Sequence, residues 1–290
     1  MSLYFYKKLL SVLCLLAGLS SLALLTGCEN NRVYSAPKLS ARTVDEAVSG
    51  IRENKKNSQP FKAFGKCRAK FFSDGNQFDE KFSVKLWVSP PNRLRLHGDV
   101  FFDPRGIDLG ANEDFFWLVT RPNEIRSYRW GQWSEKTKFE DMILNPTQLL
   151  EAFGLLADMS NENTVLASMQ KYDLLVRKDF MDRYKDRVYI DNRTRFVSKI
   201  EYFDTNNEIV LITELSNYKQ IANGFKIPMT IRIISNPNRS IEEMADIRIT
   251  LNSAEIAEIK DEIFLNKPDT EGFKRITKYT SDGFTVEQLR

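Results

Sequence analysis

Apolar and polar residues alternate most regularly between residues 188 and 251. In the segment 225–233 the large apolar side chains occupy odd positions, whereas Lys226 and Arg232 occupy even ones. Successive side chains of a β-strand point to opposite faces of the sheet, so this pattern indicates a strand with one buried face. Turn-forming residues such as Asn223-Gly224 separate it from similar segments on either side. The region is therefore predicted to form consecutive strands of one antiparallel sheet, whose apolar face another element must cover.

The same alternation predicts strands in the first half of the chain. Residues 61–73 and 78–88 flank Asp74-Gly75-Asn76, a sequence typical of a tight hairpin turn. Gly131-Gln132 predicts a second two-residue turn, with the tryptophans on its two sides as a cross-strand pair. Further strands are predicted at residues 93–98, 115–120, 124–130, 133–138 and 172–179.

Two helices are predicted to lie against this sheet. Thr43 and Glu46 are spaced as a capping box, and apolar residues follow at helical spacing. The second helix is predicted at residues 146–156, where Pro146 suits the first helical position. After residue 251 the pattern predicts one late strand or turn and a loose end. Two helices and about eleven antiparallel strands predict a mainly β, α+β fold, an unclosed half-barrel covered by helices with a hydrophobic concavity.

The N-terminal segment has the pattern of a targeting signal. Lys7-Lys8 forms a positive region, residues 9–25 are mostly apolar, and Leu25-Thr-Gly-Cys28 places small residues before a cysteine. This order predicts a signal peptide at residues 1–27. The Leu-Thr-Gly-Cys segment resembles the bacterial lipobox, in which the cysteine, here Cys28, is lipidated and becomes the first residue. An uncleaved membrane anchor with an incidental cysteine is the alternative, because the apolar run is long enough to span a bilayer.

The remaining chain divides into three parts. Residues 28–40 are predicted to form a lipidated tether, residues 41–275 the half-barrel domain, and residues 276–290 a C-terminal tail. Glu29 follows the cysteine. By resemblance to enterobacterial sorting, in which Asp at this position retains a protein in the inner membrane, Glu29 permits delivery to the outer membrane. The predicted location is therefore the periplasmic side of the outer membrane, with a lipid anchor.

Composition narrows the function classes. The 290 residues are 42% hydrophobic, which is enough for a substantial core, and the net charge is +3. Two positive charges, Lys7 and Lys8, leave with the signal peptide, so no basic excess remains and nucleic-acid binding is not expected. One histidine and three cysteines leave little material for a metal site, and no metal or cofactor is predicted. With Cys14 in the signal peptide and Cys28 acylated, Cys67 stands alone and is interpreted as a small core residue rather than a reactive thiol.

The sequence carries no recognisable catalytic motif. It lacks a Gly-x-Ser-x-Gly segment, a phosphate-binding glycine loop and a His/Cys cluster. A histidine base would have to be His97, which is opposite in parity to Leu94 and Leu96 and is therefore predicted to face solvent. No catalytic residue and no enzymatic activity are predicted. Hydrolysis by carboxylates alone stays open, since 39 acidic residues offer pairs by chance.

Five short segments of the chain carry a family resemblance. They are Pro90–Leu96, Asp114–Pro122, Tyr189–Tyr202, Gly224–Pro228 and Ile263–Pro268. In this order they resemble the LolA/LolB-like lipoprotein-carrier superfamily, which contains the Lol carrier and its outer-membrane receptor, RseB-like periplasmic stress sensors and LppX-like mycobacterial lipid carriers. The resemblance covers roughly the residues from 60 to 270. It departs from the family pattern where Asn112-Glu113 replaces the usual Asp-Gly turn.

The resemblance implies an unclosed barrel whose hydrophobic concavity holds acyl chains. The apolar faces of segments 82–88, 94–96, 225–233 and 245–251 also exceed what the two helix stripes can cover, which favours a container. An ordinary packed core is the alternative for each single residue. The predicted cavity-lining residues are Phe82, Val84, Leu86, Leu94, Leu96, Phe225, Ile227, Met229, Ile231, Ile233, Ile247 and Ile249.

Three aromatic doublets, Phe71-Phe72, Phe101-Phe102 and Phe115-Phe116, add a further apolar signal. In a regular strand each doublet places one ring on either face of the sheet. This predicts an exposed docking patch, unless the doublets lie at bulges or loop ends.

These observations predict a membrane-anchored periplasmic lipoprotein that binds lipid or the acyl chains of lipoproteins and takes part in their transfer to the outer membrane. The expected partners are those acyl chains, the membrane through the lipid on Cys28, and a periplasmic carrier protein. Two alternatives stay open. One is an envelope-stress or signalling lipoprotein in which bound lipid alters a protein partner, and the other is a structural lipoprotein whose barrel is simply packed.

Overall fold

The computed structural model describes most of the chain after residue 39. The described residues are 40–73, 75–100, 103–133, 146–153, 155, 163–179, 181–280 and 283–288. They belong to one compact unit that runs from Leu39 to Arg290. The predicted signal peptide, Cys28 and the predicted tether up to residue 39 lie outside the described residues. None of the described helices has the length and apolar character needed to span a membrane.

A single sheet of fifteen strands forms the described part of the fold. In chain order the strands are β1 Phe61–Ser73, β2 Asn76–Ser89, β3 Arg93–Val100, β4 Asp103–Ala111, β5 Phe115–Thr120, β6 Ser127–Gln132, β7 Thr164–Ser168, β8 Tyr172–Lys178, β9 Tyr184–Asp191, β10 Val197–Phe203, β11 Ile209–Ala222, β12 Phe225–Ser235, β13 Ala245–Ile256, β14 Arg275–Thr280 and β15 Gly283–Gln288.

The strands are arranged in the order β15-β14-β6-β5-β4-β3-β2-β1-β13-β12-β11-β10-β9-β8-β7. Every neighbouring pair is antiparallel except β6 and β14, which run parallel. Because β15 and β7 are separate edges, the sheet is not closed. The predicted mainly β, unclosed antiparallel half-barrel is therefore confirmed, with fifteen described strands instead of about eleven.

The predicted alternation gives the sheet one apolar face. β12 pairs with β13 so that Ile231 lies opposite Ile249. β1 connects the two halves of the sheet, because Cys67 lies opposite Ile249 on one side and opposite Phe82 on the other. Residues that are directly opposite on neighbouring strands point to the same face. These residues therefore share one concave face, which we call the inner face; the other side is the outer face.

Two predicted glycine-containing turns are confirmed. Ser73 pairs with Asn76, and Gly75 between them has a φ of 77°. Gly224 joins β11 to β12 and has a φ of 70°. Both values lie in the left-handed region, which glycine adopts without the steric cost of a Cβ.

The first helix, α1 (Val44–Lys56), begins as predicted. The Thr43 side chain accepts a hydrogen bond from the Glu46 N–H at 3.2 Å, while the Glu46 carboxylate accepts one from the Arg42 N–H at 2.9 Å. The first bond satisfies a backbone donor that the first turn leaves unpaired, and the second satisfies the N–H of the residue before the cap. The helix then buries the apolar stripe that the sequence predicts, with Ala47, Val48 and Ile51.

Both helices pack against the inner face. On α1, the side chain of Asn54 accepts a hydrogen bond from the Lys226 N–H at 2.7 Å and donates one to the Lys226 carbonyl at 2.9 Å. The second helix, α2 (Pro146–Ala152), is shorter than predicted and leads into the buried Phe153. The Phe153 ring lies 5.4 Å from the ring of Phe61 on β1. Together the two helices cover the part of the inner face around β12 and the start of β1.

The hairpin turn predicted at Gly131-Gln132 is wrong. β6 continues through these residues, and Trp130 pairs with Trp117 of β5 instead of with the second tryptophan. A Cβ at Gly131 would lie 2.7 Å from the Phe116 ring, so the glycine permits close packing within the sheet. Residues 134–138, predicted as the returning strand, lie outside the described residues.

β4, β7 and β15 are not in the predicted set of strands, and after residue 251 the sequence predicts one late strand or turn. β4 contains Pro104 and two glycines, which interrupt the apolar alternation. β14 and β15 form a hairpin, and β14 pairs with β6 so that Ile276 lies opposite Tyr128. The end of the chain is therefore part of the sheet, and the loose end predicted from the sequence is wrong. β6 and β14 are about 150 residues apart along the chain, so their pairing cannot be predicted from a local sequence pattern.

Residues 257–274, which we call the outer strap, cross the outer face of β3–β6 after β13. They contain the short helix α3 (Glu262–Leu265). The Tyr128 hydroxyl donates a hydrogen bond to the Pro268 carbonyl at 2.7 Å, and the Asn112 side chain donates one to the Phe264 carbonyl at 3.0 Å. These buried hydrogen bonds fix the path of the strap on the sheet.

Candidate functional site

A cavity of about 640 Å³ lies on the inner face. Its wall comes from β1, β2, β3, β4 and β13 on one side, and from β5, β6, β14, β15 and residues 123–126 on the other. None of the described residues in this wall belongs to α1 or α2. The cavity is therefore the part of the concavity that the helices leave uncovered. Its volume is within the range of about 300–1,000 Å³ that small-molecule sites occupy.

Most of the wall is apolar. The strands supply aliphatic and aromatic side chains, most of which occupy positions that point to the inner face. The apolar members of the wall include Cys67, Ala69, Phe71, Phe72, Phe82, Val84, Leu96, Ile107, Leu118, Ile247, Ile249, Tyr279 and Phe284. Phe284 on β15 is 54% exposed, so the apolar surface extends from the cavity to the solvent at the C-terminal hairpin.

The remaining wall is polar and lies mainly on β5, β6 and β14. Its members include Thr120, Asn123, Arg126, Ser127, Arg129, Arg275 and Thr277. The hydroxyl groups of Thr120 and Ser127 are hydrogen-bonded to each other at 2.9 Å. Three of these polar residues are arginines, and no aspartate or glutamate is among the described residues of the wall. The cavity thus combines a large apolar surface with one cationic side.

Five of the residues predicted to line a cavity are in this wall: Phe82, Val84, Leu96, Ile247 and Ile249. The other seven lie elsewhere on the inner face. Six of these are buried in the main core, namely Leu86, Leu94, Phe225, Ile227, Ile231 and Ile233, and Met229 is half-buried against the same core. They lie in the half of the concavity that the helices fill. The sequence pattern shows which face is buried but does not show how far the helices extend over it.

Several cavity residues are absent from the predicted set. Phe71 and Phe72 form one of the three aromatic doublets, and both line the cavity. Ile107 lies on β4, whose glycines and proline hide the strand. The doublet Phe115-Phe116 has one ring on each face, as predicted: Phe116 is buried on the inner side and Phe115 packs against the outer residue Trp117. Phe101-Phe102 lies outside the described residues.

Cys67 lies in the cavity wall and is only 5% exposed. Burial disfavours the thiolate and raises the pKa of the Cys67 thiol to about 12. The thiol is therefore protonated at neutral pH. This agrees with its interpretation as a small core residue rather than a reactive group.

His97 is less exposed than predicted. Its side chain is on the outer face, as its parity requires, but is only 14% exposed. It packs against Trp87, with ring centroids 5.1 Å apart, and its Nε2 atom lies 3.6 Å from the Asp108 carboxylate. The prediction of a solvent-facing histidine is wrong because the Trp87 ring and the Asp108 carboxylate lie against the imidazole. The imidazole lies across the sheet from the cavity.

Within the described ranges, no group of three or more His, Cys, Asp or Glu side chains is placed to hold a metal ion. The cavity wall offers hydroxyls, guanidinium groups and one protonated thiol. Such a wall can bind a ligand by apolar burial and by hydrogen bonds to an anion.

No protein-family model matches the sequence, and no curated protein matches it. Solved structures do match. A LolA superfamily protein from Nitrosomonas europaea is 11% identical over 78% of this chain and 99% of that chain, with a TM-score of 0.51. A putative outer membrane lipoprotein-sorting protein domain from Vibrio parahaemolyticus is 12% identical over 75% of this chain and 94% of that chain, with a TM-score of 0.50.

A third similar structure is a DUF1329 family protein from Desulfovibrio piger. It is 11% identical over 75% of this chain and 93% of that chain, with a TM-score of 0.50. At these identities the likeness concerns the fold. The chain has a LolA-like fold, as its resemblance to the lipoprotein-carrier superfamily predicts.

Proposed function

We propose that this protein is a membrane-anchored lipoprotein of the bacterial envelope that binds lipid, or the acyl chains of lipoproteins, in the inner-face cavity. The observation that carries the proposal is the cavity itself. It measures about 640 Å³, has a largely apolar wall, and occupies the uncovered part of a LolA-like sheet. An acyl chain is flexible and apolar, so it fills such a space without needing directional contacts.

The proposed activity is transfer without chemistry. Each CH₂ group that leaves water gains about 0.8 kcal/mol, whether it enters a membrane, a protein cavity or another carrier. A chain that moves from one apolar environment to another therefore changes free energy only by the difference between the two. A moderate preference of each successive site for the chain is enough to give the transfer a direction.

We place the protein at the periplasmic side of the outer membrane. The proposed anchor is lipid on Cys28, exposed after removal of residues 1–27, and Glu29 permits outer-membrane delivery. Residues 28–40 form the proposed tether. It reaches the folded domain at Ala41, whose N–H donates to both carboxylate oxygens of Asp173 at 3.1 and 3.0 Å.

The proposed partner is a periplasmic carrier that delivers the acyl chain. The alternative of a signalling lipoprotein uses the same cavity, and the two differ in whether the bound chain is passed on. We propose no catalytic step, because the only histidine is on the outer face.

The direct test is to ask which lipids the protein carries. The form that lacks residues 1–28 is purified without detergent, extracted with organic solvent and examined by mass spectrometry. The expected result is acyl lipid at a constant ratio to protein, and binding of a fluorescent fatty acid after the lipid is removed. A preparation that is folded by circular dichroism, yields no lipid and binds no probe would contradict the proposal.

A further inference from the structure

The polar side of the cavity has an ordered arrangement. On the inner face, Thr120 of β5 lies opposite Ser127 of β6. Two residues away on each strand, and therefore on the same face, Leu118 lies opposite Arg129. Arg129 in turn lies opposite Thr277 of the parallel strand β14. Arg275 precedes Thr277 by two residues and therefore points to the same face. Hydroxyl and guanidinium groups thus line one side of the cavity.

Two of the three arginines are exposed, with most of their donors available. Arg126 donates one N–H to the Gly272 carbonyl at 2.8 Å and lies over the Phe273 ring. A guanidinium group has five N–H donors, so this bond leaves several for a ligand. The side chain of Arg275 makes no hydrogen bond or ion pair with another described residue. Guanidinium groups bind carboxylate and phosphate through paired hydrogen bonds, which lysine cannot reproduce.

The apolar part of the cavity lies beyond this cationic side. Ala69, Phe82 and Ile249 are buried members of the wall, whereas Arg126 and Arg275 are exposed members of the same wall. A ligand that fills the cavity therefore meets apolar groups at its buried end and positive charge where it reaches the solvent. This arrangement of apolar and positively charged groups is complementary to an apolar chain that ends in an anionic head group.

We infer that the ligand is an amphiphile with an anionic head group, a phosphate or a carboxylate, which Arg126 and Arg275 bind while the acyl chain fills the apolar part of the cavity. The inference rests on the proposed function and narrows its ligand class. A zwitterionic head would bring a cation next to the guanidinium groups, so it is bound less well. An inorganic anion lacks the chain and gains nothing from the apolar wall.

The test compares lipids that differ only in their heads. The full-length chain is placed in phosphatidylcholine vesicles that contain a trace of a probe, either a lysolipid or a free fatty acid, with the same photoactivatable acyl chain. One sample receives the phosphatidylglycerol form, a second the phosphatidylcholine form, and a third the free fatty acid. After illumination, mass spectrometry measures the labelling of peptides that contain Ala69 or Phe82.

We expect the two anionic probes to label these peptides about tenfold more than the phosphatidylcholine probe, which corresponds to one charge-assisted contact. Arg275→Gln should remove much of this preference, and Arg126→Gln together with Arg275→Gln should remove the rest. Arg193→Gln is the matched control, since it removes the same charge from an exposed turn between β9 and β10 outside the cavity wall. It should keep the full preference.

The outcomes separate the inference from the proposed function. Equal labelling of the cavity peptides by all three probes would contradict the inferred preference for an anionic head group. It would leave the proposed binding of acyl chains intact. A preference that Arg193→Gln reduces as much as Arg275→Gln would also overturn it, because general surface charge would then explain the result. Displacement of the anionic lipid by an equal concentration of inorganic phosphate would overturn an amphiphilic ligand. No labelling of these peptides by any probe would overturn the proposed function itself.

Discussion

Two hydrogen bonds join the guanidinium group of Arg95 to the carboxylate of Asp108 on the outer face, with N···O distances of 3.1 and 2.7 Å. Arg95 also donates to the carbonyls of Ile263 and Asn266 at 2.8 and 3.0 Å. Its charge lies 5.3 Å from the centre of the Trp117 ring. Three of the segments that carry the family resemblance therefore meet at Arg95. Their role here is to fasten the outer strap to the sheet that forms the cavity.

Stability should depend on pH through Asp108. Burial works to raise the pKa of this carboxyl, but the contacts with His97, Arg95 and Trp117 outweigh it and lower the pKa to about 2. Because this value lies below that of the unfolded chain, about 3.9, the contribution is complete above pH 4 and is lost as the pH falls towards 2. Its size is about 2 kcal/mol.

The measurement is urea unfolding of the wild type and Asp108→Asn at a series of pH values. The difference in the free energy of unfolding should shrink by about 2 kcal/mol between pH 5 and pH 2, as the wild-type carboxyl becomes neutral. A difference that stays constant over this range would show that Asp108 is not held as a carboxylate by these contacts.

A second ion pair is buried on the inner face. Arg177 and Asp186 are joined by two hydrogen bonds of 2.6 Å, and their side chains are 5% and 0% exposed. Asp186→Asn removes the carboxylate that is hydrogen-bonded to the buried arginine, so it should destabilise the protein by about 3–5 kcal/mol in urea unfolding. Replacing both residues, as in Arg177→Met with Asp186→Leu, should be much milder. An equal loss in the single and double variants would contradict this account.

Cys67 provides a probe of the cavity wall. In the form that lacks residues 1–28 it is the single cysteine. Its thiol has a pKa raised to about 12 and should react slowly with a disulfide reagent at pH 8, but at a normal rate in urea. Added fatty acid should slow the reaction further, because a bound chain covers the wall. Rapid labelling of the native protein, unchanged by fatty acid, would contradict the burial of this thiol.

The anchor can be tested separately from the cavity. Cys28→Ala should block lipidation and leave the precursor uncleaved, because the thiol is the attachment point and the lipobox resemblance depends on it. Metabolic labelling with a radioactive fatty acid, followed by electrophoresis, measures both effects. His97→Ala serves as a matched control outside the lipobox and should be labelled and processed as the wild type. Normal labelling of Cys28→Ala would rule out this anchor.

The sequence predicts the strands well where a strand has one buried face. The alternation of residues 225–233 appears as β12, and the Thr43 cap appears at the start of α1. The sequence predicts strands poorly where the buried positions are polar residues or glycines instead of large apolar residues. In β4, Asp108 is buried by the Arg95 contacts, and the ring of Trp117 covers Gly110 so closely that no Cβ fits. These positions look polar or flexible in the sequence, yet they lie within a strand.

The extent of the cavity could not be predicted from the sequence. Ile231 and Ile249 lie directly opposite each other on β12 and β13 and have the same residue type. Both are buried members of the core, but Ile249 also lies in the cavity wall and Ile231 does not. The difference depends on where α1 and α2 end above the sheet. Helix placement is a tertiary property, and alternation along a strand carries no information about it.

The central claim is that an acyl chain occupies the cavity beside Ala69. Ala69→Phe adds a ring inside the cavity wall, where there is free volume, whereas Ile231→Phe adds one in the packed core. The two variants introduce the same side chain on the same face. Overpacking should therefore cost Ile231→Phe about 1–3 kcal/mol of stability, while Ala69→Phe should stay close to the wild type.

The most direct measurement is titration of each protein with a fluorescent fatty acid, together with its melting temperature. We predict that the wild type binds the probe, and that Ala69→Phe loses binding at nearly unchanged melting temperature. Ile231→Phe should melt at a lower temperature and, while folded, still bind. Absence of probe binding by the wild type, or undiminished binding by Ala69→Phe, would contradict the claim that this cavity holds an acyl chain.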